Sequence, residues 1–333
     1  MTLIGRVLPA SEPFAPKMFK GVRLKCWFHK GLLFYAEYNI RLLFWLLTHP
    51  YSIACACDLD TALPVRFASW IRRKKTVYDA HEYFTEVPEI ASRPFIKSIW
   101  SAIANLTIRG FDLRYTVGSC LAKLMGEKYQ VSFDVIRNIP SKQQTIATTH
   151  PAPSIKILLY QGAINEGRGL DEIIDTMPQL PGWEFWLAGE GDITDQLKQK
   201  SIENKVEERI RFLGWIHPDS LPDLMSQATL GINLRETGSL NDYYSLPNKF
   251  FDFIHAGLPS INMKYPEYEA VNRQYECSYL INTVSTQEIR DAVQLLDDDE
   301  RLMDLLKSNC MRAAKEFTWV NESTRLLSLY NAM

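Results

Sequence analysis

The stretch from residue 243 to residue 259, YYSLPNKFFDFIHAGLP, constrains the fold most, because it carries both ends of a helix. Pro247 suits the first turn of a helix, where its missing N–H would have no partner, and Ser245 can serve as the N-cap. The sequence Gly257-Leu-Pro259 is typical of a helix end. Apolar side chains recur at helical spacing between these signals: Phe250, Phe251 and Ile254. The pattern predicts a buried helix with a defined start.

The start of this helix is also a candidate binding site. The first N–H groups of a helix have no intrahelical partners and its N-terminus carries a partial positive charge, so the position attracts anions. Lys249 adds a full charge one turn in, and Asp252 on the next turn can reach a sugar hydroxyl of the same ligand. A purely structural role is the alternative, because Ser-x-Pro is a common helix start.

Length and composition fit a two-domain protein. The chain has 333 residues, of which 46% are hydrophobic and 23% are charged, as is typical of soluble globular proteins. Residues 1–150 carry 20 Lys and Arg against 11 Asp and Glu, whereas residues 151–333 carry 17 against 28. A basic half favours an anionic acceptor or an anionic lipid surface. Nothing resembles a nucleic-acid-binding module, so we expect no nucleic acid partner.

The six cysteines lack the Cys-x-x-Cys spacing of metal sites, and they indicate isolated thiols in a reducing compartment. Cys55 and Cys57 alternate within an apolar run, which places both on one face of a predicted strand. We expect them to pack in the core. No signal peptide opens the chain, so we expect a cytoplasmic protein.

The most apolar region, residues 31–48, predicts a helix interrupted by Glu37 and Arg41, which have the i,i+4 spacing of a surface pair. A membrane-spanning helix needs about 20 apolar residues, so a spanning segment is not expected. Core packing is the first interpretation of this helix. The alternative is a membrane-facing helix flanked by Lys30 and Arg41, and the basic cluster at residues 72–75 would suit an anionic membrane.

Strands and helices alternate along the chain, which predicts an α/β protein with two Rossmann-like domains. A polar, proline-bearing linker at residues 141–154 marks the domain break. We predict a first domain at residues 1–145 and a second at residues 152–316. The first strand, residues 2–5, is not followed by the Gly-rich turn and helix that usually open such a domain, so the first domain is expected to lack its first βα unit.

Polar residues follow two of the predicted strands, at the sheet edge where ligands bind in parallel sheets. His81 and Glu82 follow the strand at residues 76–78, although a lone histidine is more often packed or exposed than catalytic. The Gly-rich loop at residues 161–169 follows another strand. Its glycines let the backbone approach a ligand, and Arg168 supplies a cation for phosphate.

These motifs resemble the retaining GT-B glycosyltransferases of family four, the group 1 glycosyl transferases. The resemblance covers residues 76–330 and is most specific at residues 155–260. In that family the helix start holds the donor diphosphate, and an acidic residue five positions before the glycine of Ala-Gly-x-Pro holds the ribose. Asp252 has this position. The resemblance implies two domains that face a central cleft, with a final helix, here residues 317–333, that crosses back to the first domain.

The resemblance also implies the roles of single residues. His81 would lie beside the transferred sugar, Arg168 and Lys249 would hold the leaving diphosphate, and Glu82 would lie on the acceptor side. His81, Arg168 and Lys249 are the predicted catalytic residues. The predicted donor-binding residues are Gly162, Glu190, Gly191, Trp215, Ile216, Glu236, Tyr244, Ser245, Leu246, Pro247, Asn248 and Asp252.

Two positions depart from the family pattern. Ala163 stands where the family has an arginine that grips phosphate, and Lys249 is a candidate to compensate. Tyr244 stands where the family often has the first of two glutamates, and Glu236 is a candidate substitute contact for the sugar. No Asp-x-Asp pair follows a strand in the second half of the chain, so no metal and no cofactor beyond the co-substrate are expected.

We therefore expect a retaining hexosyltransferase. It would move a hexose from a nucleoside diphosphate sugar, of UDP or GDP type, to a glycan or lipid-linked acceptor in surface polysaccharide synthesis. Peripheral contact with the inner face of the membrane, through the basic N-terminal half, is a further expectation. A degenerate GT-B scaffold that binds an active transferase is one alternative, favoured by the two departures. A sugar-nucleotide epimerase of the same fold is the other.

Overall fold

The computed structural model describes residues 1–8, 11, 18–140 and 155–333. The chain forms two compact units. The first unit consists of Met1–Thr116, Ala122–Val135 and Asn331–Met333, and the second unit consists of Val117–Leu121 and Ile136–Tyr330. The predicted linker lies outside the described residues. The predicted domain limits and the return of the final helix to the first domain stay predictions.

The strands follow the predicted alternation. In the first half of the chain they are β1 (Thr2–Arg6), β2 (Lys20–Leu24), β3 (Ile53–Cys57), β4 (Lys75–Ala80), β5 (Leu113–Thr116) and β6 (Asp134–Val135). In the second half they are β7 (Lys156–Gln161), β8 (Trp183–Ala188), β9 (Ile210–Gly214), β10 (Leu230–Asn233), β11 (Ser260–Met263) and β12 (Ser278–Ile281). The second strand begins at Lys20, where its parallel pairing with β1 begins.

The helices lie between these strands. Before residue 140 they are α1 (Gly31–Thr48), α2 (Ala62–Arg72), α3 (Pro88–Ala91), α4 (Pro94–Thr107) and α5 (Ser119–Tyr129). After residue 155 they are α6 (Leu170–Thr176), α7 (Thr194–Glu203), α8 (Leu221–Met225), α9 (Leu240–Tyr243), α10 (Asn248–His255), α11 (Pro266–Tyr275), α12 (Thr286–Asp298), α13 (Glu300–Glu316) and α14 (Trp319–Asn331). The α/β class is confirmed.

The second unit is built on a parallel sheet with the strand order β12-β11-β10-β7-β8-β9. Its central strands are continuous apolar runs; Leu158 and Leu159 on β7 and Ile232 on β10 are fully buried. Such runs are expected where helices cover both faces of a sheet. The chain leaves β7 toward β8 and returns on the other side at β10. In open α/β sheets this reversal leaves a crevice at the carboxyl ends of the two strands, where ligands bind.

The described part of the first unit holds two parallel sheets, β1-β2 and β3-β4-β5-β6. Strand β3 buries Ala54 and Ala56 and exposes Cys55 and Cys57. The prediction that these two cysteines pack in the core is therefore wrong. Alternation places them on one face, as expected, but the two alanines form the face that meets the core.

Helix α1 has the predicted limits, and its Glu37–Arg41 pair is present at 2.7 Å. One stripe of the helix packs in the core, which confirms the first interpretation: Phe34, Tyr38, Leu42 and Leu46. Phe44 and Leu33, outside this stripe, are 64% and 61% exposed. Among the described residues, no helix combines the length and the apolar character needed to cross a membrane.

Helix α10 matches the prediction at its core and its end, but not at its cap. Phe250, Phe251 and Ile254 are buried, and Gly257 has a φ of +63°, which a glycine adopts without strain. The N-cap is Pro247 rather than Ser245. The Ser245 hydroxyl instead donates to the carbonyl oxygen of Asp242 at 2.8 Å, so it closes the preceding turn and cannot reach the helix.

Candidate functional site

The reversal of strand order places the ends of β7 and β10 side by side at one edge of the second sheet. Gln161 ends β7, and the Gly-rich loop with Arg168 follows it. Arg235 lies two residues beyond the end of β10. The start of α10 reaches the same edge, because the Nζ atom of Lys249 lies 4.0 Å from the centroid of the Tyr160 ring on β7.

Three cationic side chains lie close together at this edge: Arg168, Arg235 and Lys249. The pKa of Lys249 is lowered to about 7, first by burial and then by the charges of the two arginines. Burial and the charge of Arg168 also lower the pKa of Arg235, which forms an ion pair with Asp242. Like charges repel, so a cluster of this kind is typical of a site for a multivalent anion.

Asp252 lies one turn further along α10, and its Oδ2 atom accepts a hydrogen bond of 2.7 Å from Nε2 of Gln161. Burial raises the pKa of Asp252 to about 6. Gln161 is 4% exposed, and its Oε1 atom has no hydrogen-bond partner among the described residues. A carboxylate and an amide oxygen side by side can accept hydrogen bonds from two neighbouring hydroxyl groups, such as those of a ribose.

The glycine turns at this edge pack the loops of neighbouring strands against each other. A Cβ atom on Gly189 would lie 1.9 Å from the carbonyl oxygen of Gly162, and one on Gly191 would lie 2.1 Å from that of Ile164. The N–H of Gly189 donates to the carbonyl oxygen of Gly214 at 2.8 Å. We conclude that these glycines allow close contact between loops, in addition to any approach of a ligand.

The predicted donor-binding residues Trp215 and Ile216 directly follow β9. Trp215 is 65% exposed, whereas Ile216 is partly buried against a small apolar cluster. The Nδ1 atom of His217 accepts the N–H of Asp219 at 3.2 Å, which holds this histidine in a local turn. The segment thus offers one exposed aromatic ring and a backbone held by a local turn.

The remaining predicted donor residues lie in loops around the cationic cluster. Glu190 accepts the N–H of Ile164 at 3.0 Å through its backbone oxygen. Glu236 is exposed, and its N–H donates to the carbonyl oxygen of Gly167 at 3.1 Å, next to Arg168. Tyr244 is partly buried, and Leu246 is 7% exposed. Their roles as donor contacts stay predictions.

The predicted first-unit residues lie at the carboxyl end of β4. The Nε2 atom of His81 is 3.2 Å from Oδ1 of Asp79, and this hydrogen bond raises the pKa of His81 to about 9. The N–H of His81 donates to Oδ1 of Asp58 at 2.8 Å. Burial raises the pKa of Glu82. His81 is thus a cation held by carboxylates, and its catalytic role stays a prediction.

Two residues at the second-unit edge were not predicted from the sequence: Arg235 and Gln161. Gln161 had a detectable signal, since it is a polar residue at the end of an otherwise apolar strand. Arg235 also follows a buried strand, but only the strand order shows that β10 lies next to β7.

Comparison with known proteins shows which family the residues around this edge resemble. Residues 155–299 match the family model described as Glycosyl transferases group 1. These residues resemble a group 1 glycosyltransferase domain, and we call them the group 1 domain. The domain contains all six strands of the second sheet, together with Arg168, Arg235, Lys249 and Asp252. The resemblance found in the sequence is confirmed over these residues.

A relative by sequence is the lipopolysaccharide core biosynthesis glycosyltransferase LpsE of Rhizobium meliloti (strain 1021). It is 32% identical over 59 residues, which are 18% of this chain and 17% of the length of that protein.

Solved structures with a similar fold cover most of the chain. Anabaena Alr3699/HepE in complex with UDP and glucose matches with a TM-score of 0.72 and 17% identity, over 95% of this chain and 87% of that chain. Sucrose-phosphate synthase from Thermosynechococcus elongatus matches with a TM-score of 0.77 and 15% identity, over 99% of this chain and 88% of that chain. The group 1 glycosyltransferase domain is thus part of a GT-B fold with two Rossmann-like domains, as predicted.

Proposed function

We propose that the protein transfers a hexose from a UDP-sugar to a hydroxyl group of a glycan or lipid-linked acceptor, with retention of configuration, in surface polysaccharide synthesis. The observation that carries this proposal is the cluster of Arg168, Arg235 and Lys249 beside Asp252, at the strand reversal of a group 1 domain. A complex of the similar Alr3699/HepE with UDP and glucose supports uridine as the base. The relative in lipopolysaccharide core biosynthesis supports the pathway class.

The cationic cluster suits the chemistry of this transfer. The bond between the anomeric carbon and the β-phosphate oxygen breaks, and a bond to the acceptor oxygen forms on the same face. The acceptor proton passes to the leaving phosphate oxygen, so the step is balanced without a further reactant. Negative charge grows on the diphosphate as the bond breaks, and fixed cations together with the N–H groups at the start of α10 stabilise it. We propose that these groups neutralise the diphosphate without a divalent metal.

Arg235 bears on the alternative that the chain is an inactive scaffold. The main argument for that alternative is Ala163, which stands in place of a phosphate-gripping arginine. Arg235 lies close enough to Lys249 to lower its pKa, as Arg168 does. Arg235 therefore adds a positive charge to the cluster, where Ala163 lacks the one that the family has. We therefore favour an active transferase over a scaffold. An epimerase of the same fold would interconvert free donor sugars without any acceptor.

We assign the acceptor and any membrane contact to the first unit. Helix α2 exposes Phe67, Trp70 and Ile71, which are 49%, 65% and 49% exposed, and it ends in the basic cluster at residues 72–75. A groove between β2 and α1 combines cations with aromatic rings; its lining residues are Leu24, Lys25, Arg41, Phe44, Trp45 and Thr48. Aromatic side chains beside lysine and arginine suit the interface of an anionic membrane.

A calorimetric titration tests the donor site. We expect UDP, but not GDP, to bind the full chain without added metal. We expect Asp252→Ala to weaken UDP binding at least about 10-fold, which corresponds to about 1.4 kcal/mol, because the ribose loses a charged acceptor. Asp304→Ala is the matched control, since Asp304 is 71% exposed on α13. We expect it to bind UDP like the wild type.

Further outcomes separate the candidate functions. Binding of neither nucleotide would overturn the transferase proposal and favour a scaffold. Binding of UDP without hydrolysis or transfer, in the presence of UDP-hexoses and lipid-linked acceptors, would also favour a scaffold. Conversion of one UDP-hexose to another would identify an epimerase. The configuration of the new glycosidic bond, read by NMR, would test retention.

The affinity for a UDP-sugar should pass through a maximum between about pH 6 and pH 7. The pKa of Lys249 is lowered to about 7, so the ammonium that attracts the diphosphate is lost as the pH rises through 7. The pKa of Asp252 is raised to about 6, so the carboxylate that accepts the ribose hydroxyl is lost as the pH falls through 6. We expect a loss of about 10-fold between pH 7 and about pH 8.5.

This pH dependence can be measured with UDP-glucose, in which both phosphates are esterified and do not titrate in this range. In Lys249→Met the alkaline decrease should disappear and the acidic decrease should remain. An alkaline decrease that persists in Lys249→Met would show that another group is responsible. Proton uptake on binding at about pH 8, measured in buffers of different ionisation enthalpy, should likewise be lost in the variant.

A further inference from the structure

Strands β3 and β4 place three potential metal ligands together in the first unit. Cys57 on β3 pairs in register with Asp79 on β4, and Cys55 lies two residues earlier on the same face of β3. One ligand atom from each residue lies within 4.8 Å of the other two. Both cysteines are exposed at the surface, so an ion in solution can reach them.

The types of atom in this cluster favour zinc. Two thiolates and a carboxylate are ligands that Zn²⁺ binds in tetrahedral sites, whereas Mg²⁺ and Ca²⁺ prefer oxygen ligands alone. Around a tetrahedral zinc with Zn–S bonds of about 2.3 Å, neighbouring sulfur atoms lie about 3.8 Å apart. The ligand atoms, all within 4.8 Å of one another, lie within about 1 Å of this spacing. Cys-x-Cys on a single strand also fixes two ligands on a rigid element.

His81 adds a partner for the carboxylate. Its Nε2 atom lies 3.2 Å from Oδ1 of Asp79, with 41% of the histidine side chain exposed. Hydrogen bonds from outside the first coordination shell orient metal ligands, and loss of such a partner typically weakens metal binding about 10–100-fold. The Asp79–His81 contact therefore holds the carboxylate that completes the cluster.

We propose that Cys55, Cys57 and Asp79 form a zinc-binding site in which His81 orients the ligating carboxylate. A water molecule or a further ligand would take the fourth position. The three ligands and His81 all lie in the first unit, whereas Arg168, Lys249 and Asp252 lie in the second. The proposal therefore does not depend on the proposed glycosyl transfer, and it can be tested without an activity assay.

The test is a zinc titration of the full chain under reducing conditions, in competition with a chromophoric chelator. We expect one Zn²⁺ per chain and a weakening of at least about 10-fold in each of Cys55→Ser and Cys57→Ser. We expect His81→Gln to weaken binding about 10–100-fold. Cys26→Ser is the matched control, because Cys26 lies outside the cluster. Circular dichroism of each variant would verify that it is folded.

Cobalt provides an independent readout. With Co²⁺ in place of zinc, we expect a thiolate-to-metal charge-transfer band that is reduced in either single cysteine variant and absent in the double variant. The zinc site would be ruled out if both Cys55→Ser and Cys57→Ser bind zinc like the wild type. It would also be ruled out if Cys26→Ser loses zinc binding instead. A ratio of one zinc to two chains, with a zinc-dependent dimer in size-exclusion chromatography, would overturn the intramolecular site. Unchanged affinity in His81→Gln would overturn the role of the histidine.

Discussion

Replacing Arg168 by alanine should lower the kcat of hexose transfer about 10³-fold. The proposed transition state places growing negative charge on the leaving diphosphate, next to Arg168, Arg235 and Lys249. Charge that develops late is stabilised more in the transition state than in the bound donor, so kcat should fall more than the affinity for UDP. Arg168→Lys should be intermediate, because lysine keeps the charge but not the planar fork that grips two phosphate oxygens.

Single-turnover transfer from a UDP-hexose would measure this effect, with UDP affinity measured in parallel. Arg273→Ala is the control, since Arg273 is 79% exposed on α11 and its nearest acidic partner, Glu269, is 3.9 Å away. If Arg168→Ala lowers kcat less than about 10-fold and Arg235→Ala lowers it more, Arg235 is the main group that stabilises the leaving diphosphate. A loss confined to UDP affinity would show that Arg168 binds the donor without contributing to the chemical step.

Replacing Gly189 by alanine should destabilise the second unit by about 3 kcal/mol or more, at the upper end of point-mutation effects. The new Cβ atom would lie 1.9 Å from the carbonyl oxygen of Gly162, and φ at Gly189 is +153°, where side chains are rarely found. Because backbone cannot move away as a flexible side chain would, the loop that carries Arg168 must shift. UDP affinity should fall together with stability.

The variant Gly182→Ala separates the cost of backbone strain from the cost of a steric clash. Gly182 also has a positive φ, +85°, but a Cβ atom there would meet nothing within 4 Å. Only the left-handed conformation is then penalised, at about 1–2 kcal/mol. Urea unfolding followed by tryptophan fluorescence would compare the two variants, since Trp183 and Trp186 lie on β8 between these glycines. Equal destabilisation of both variants would contradict the proposed contact between the Gly162 and Gly189 loops.

The sequence predicts those parts of the molecule whose signals are local. Helix α1 has its predicted limits because a charged pair and an apolar stripe define it within one segment. Lys249 and Asp252 lie on successive turns of α10, as predicted, because helical spacing fixes both relative to the start of the helix.

The parts that could not be predicted depend on neighbours that are distant in sequence. Arg235 joins Arg168 only because β10 returns to the side of β7. Burial of Cys55 and Cys57 was predicted from alternation, but alternation states which residues share a face and not which face the core covers. Ser245 does not cap α10, because its hydroxyl donates to the carbonyl oxygen of Asp242 in the turn before the helix.

The cationic cluster also bears on how this chain can change in evolution. Burial and the charges of Arg168 and Arg235 disfavour the charged form of Lys249, so loss of Lys249 stabilises the fold while it weakens the binding of a diphosphate. Most stabilising substitutions are neutral for function, but here greater stability and lost activity would arise from the same change. A lineage released from selection for transfer would therefore be expected to lose Lys249 early and to keep its fold.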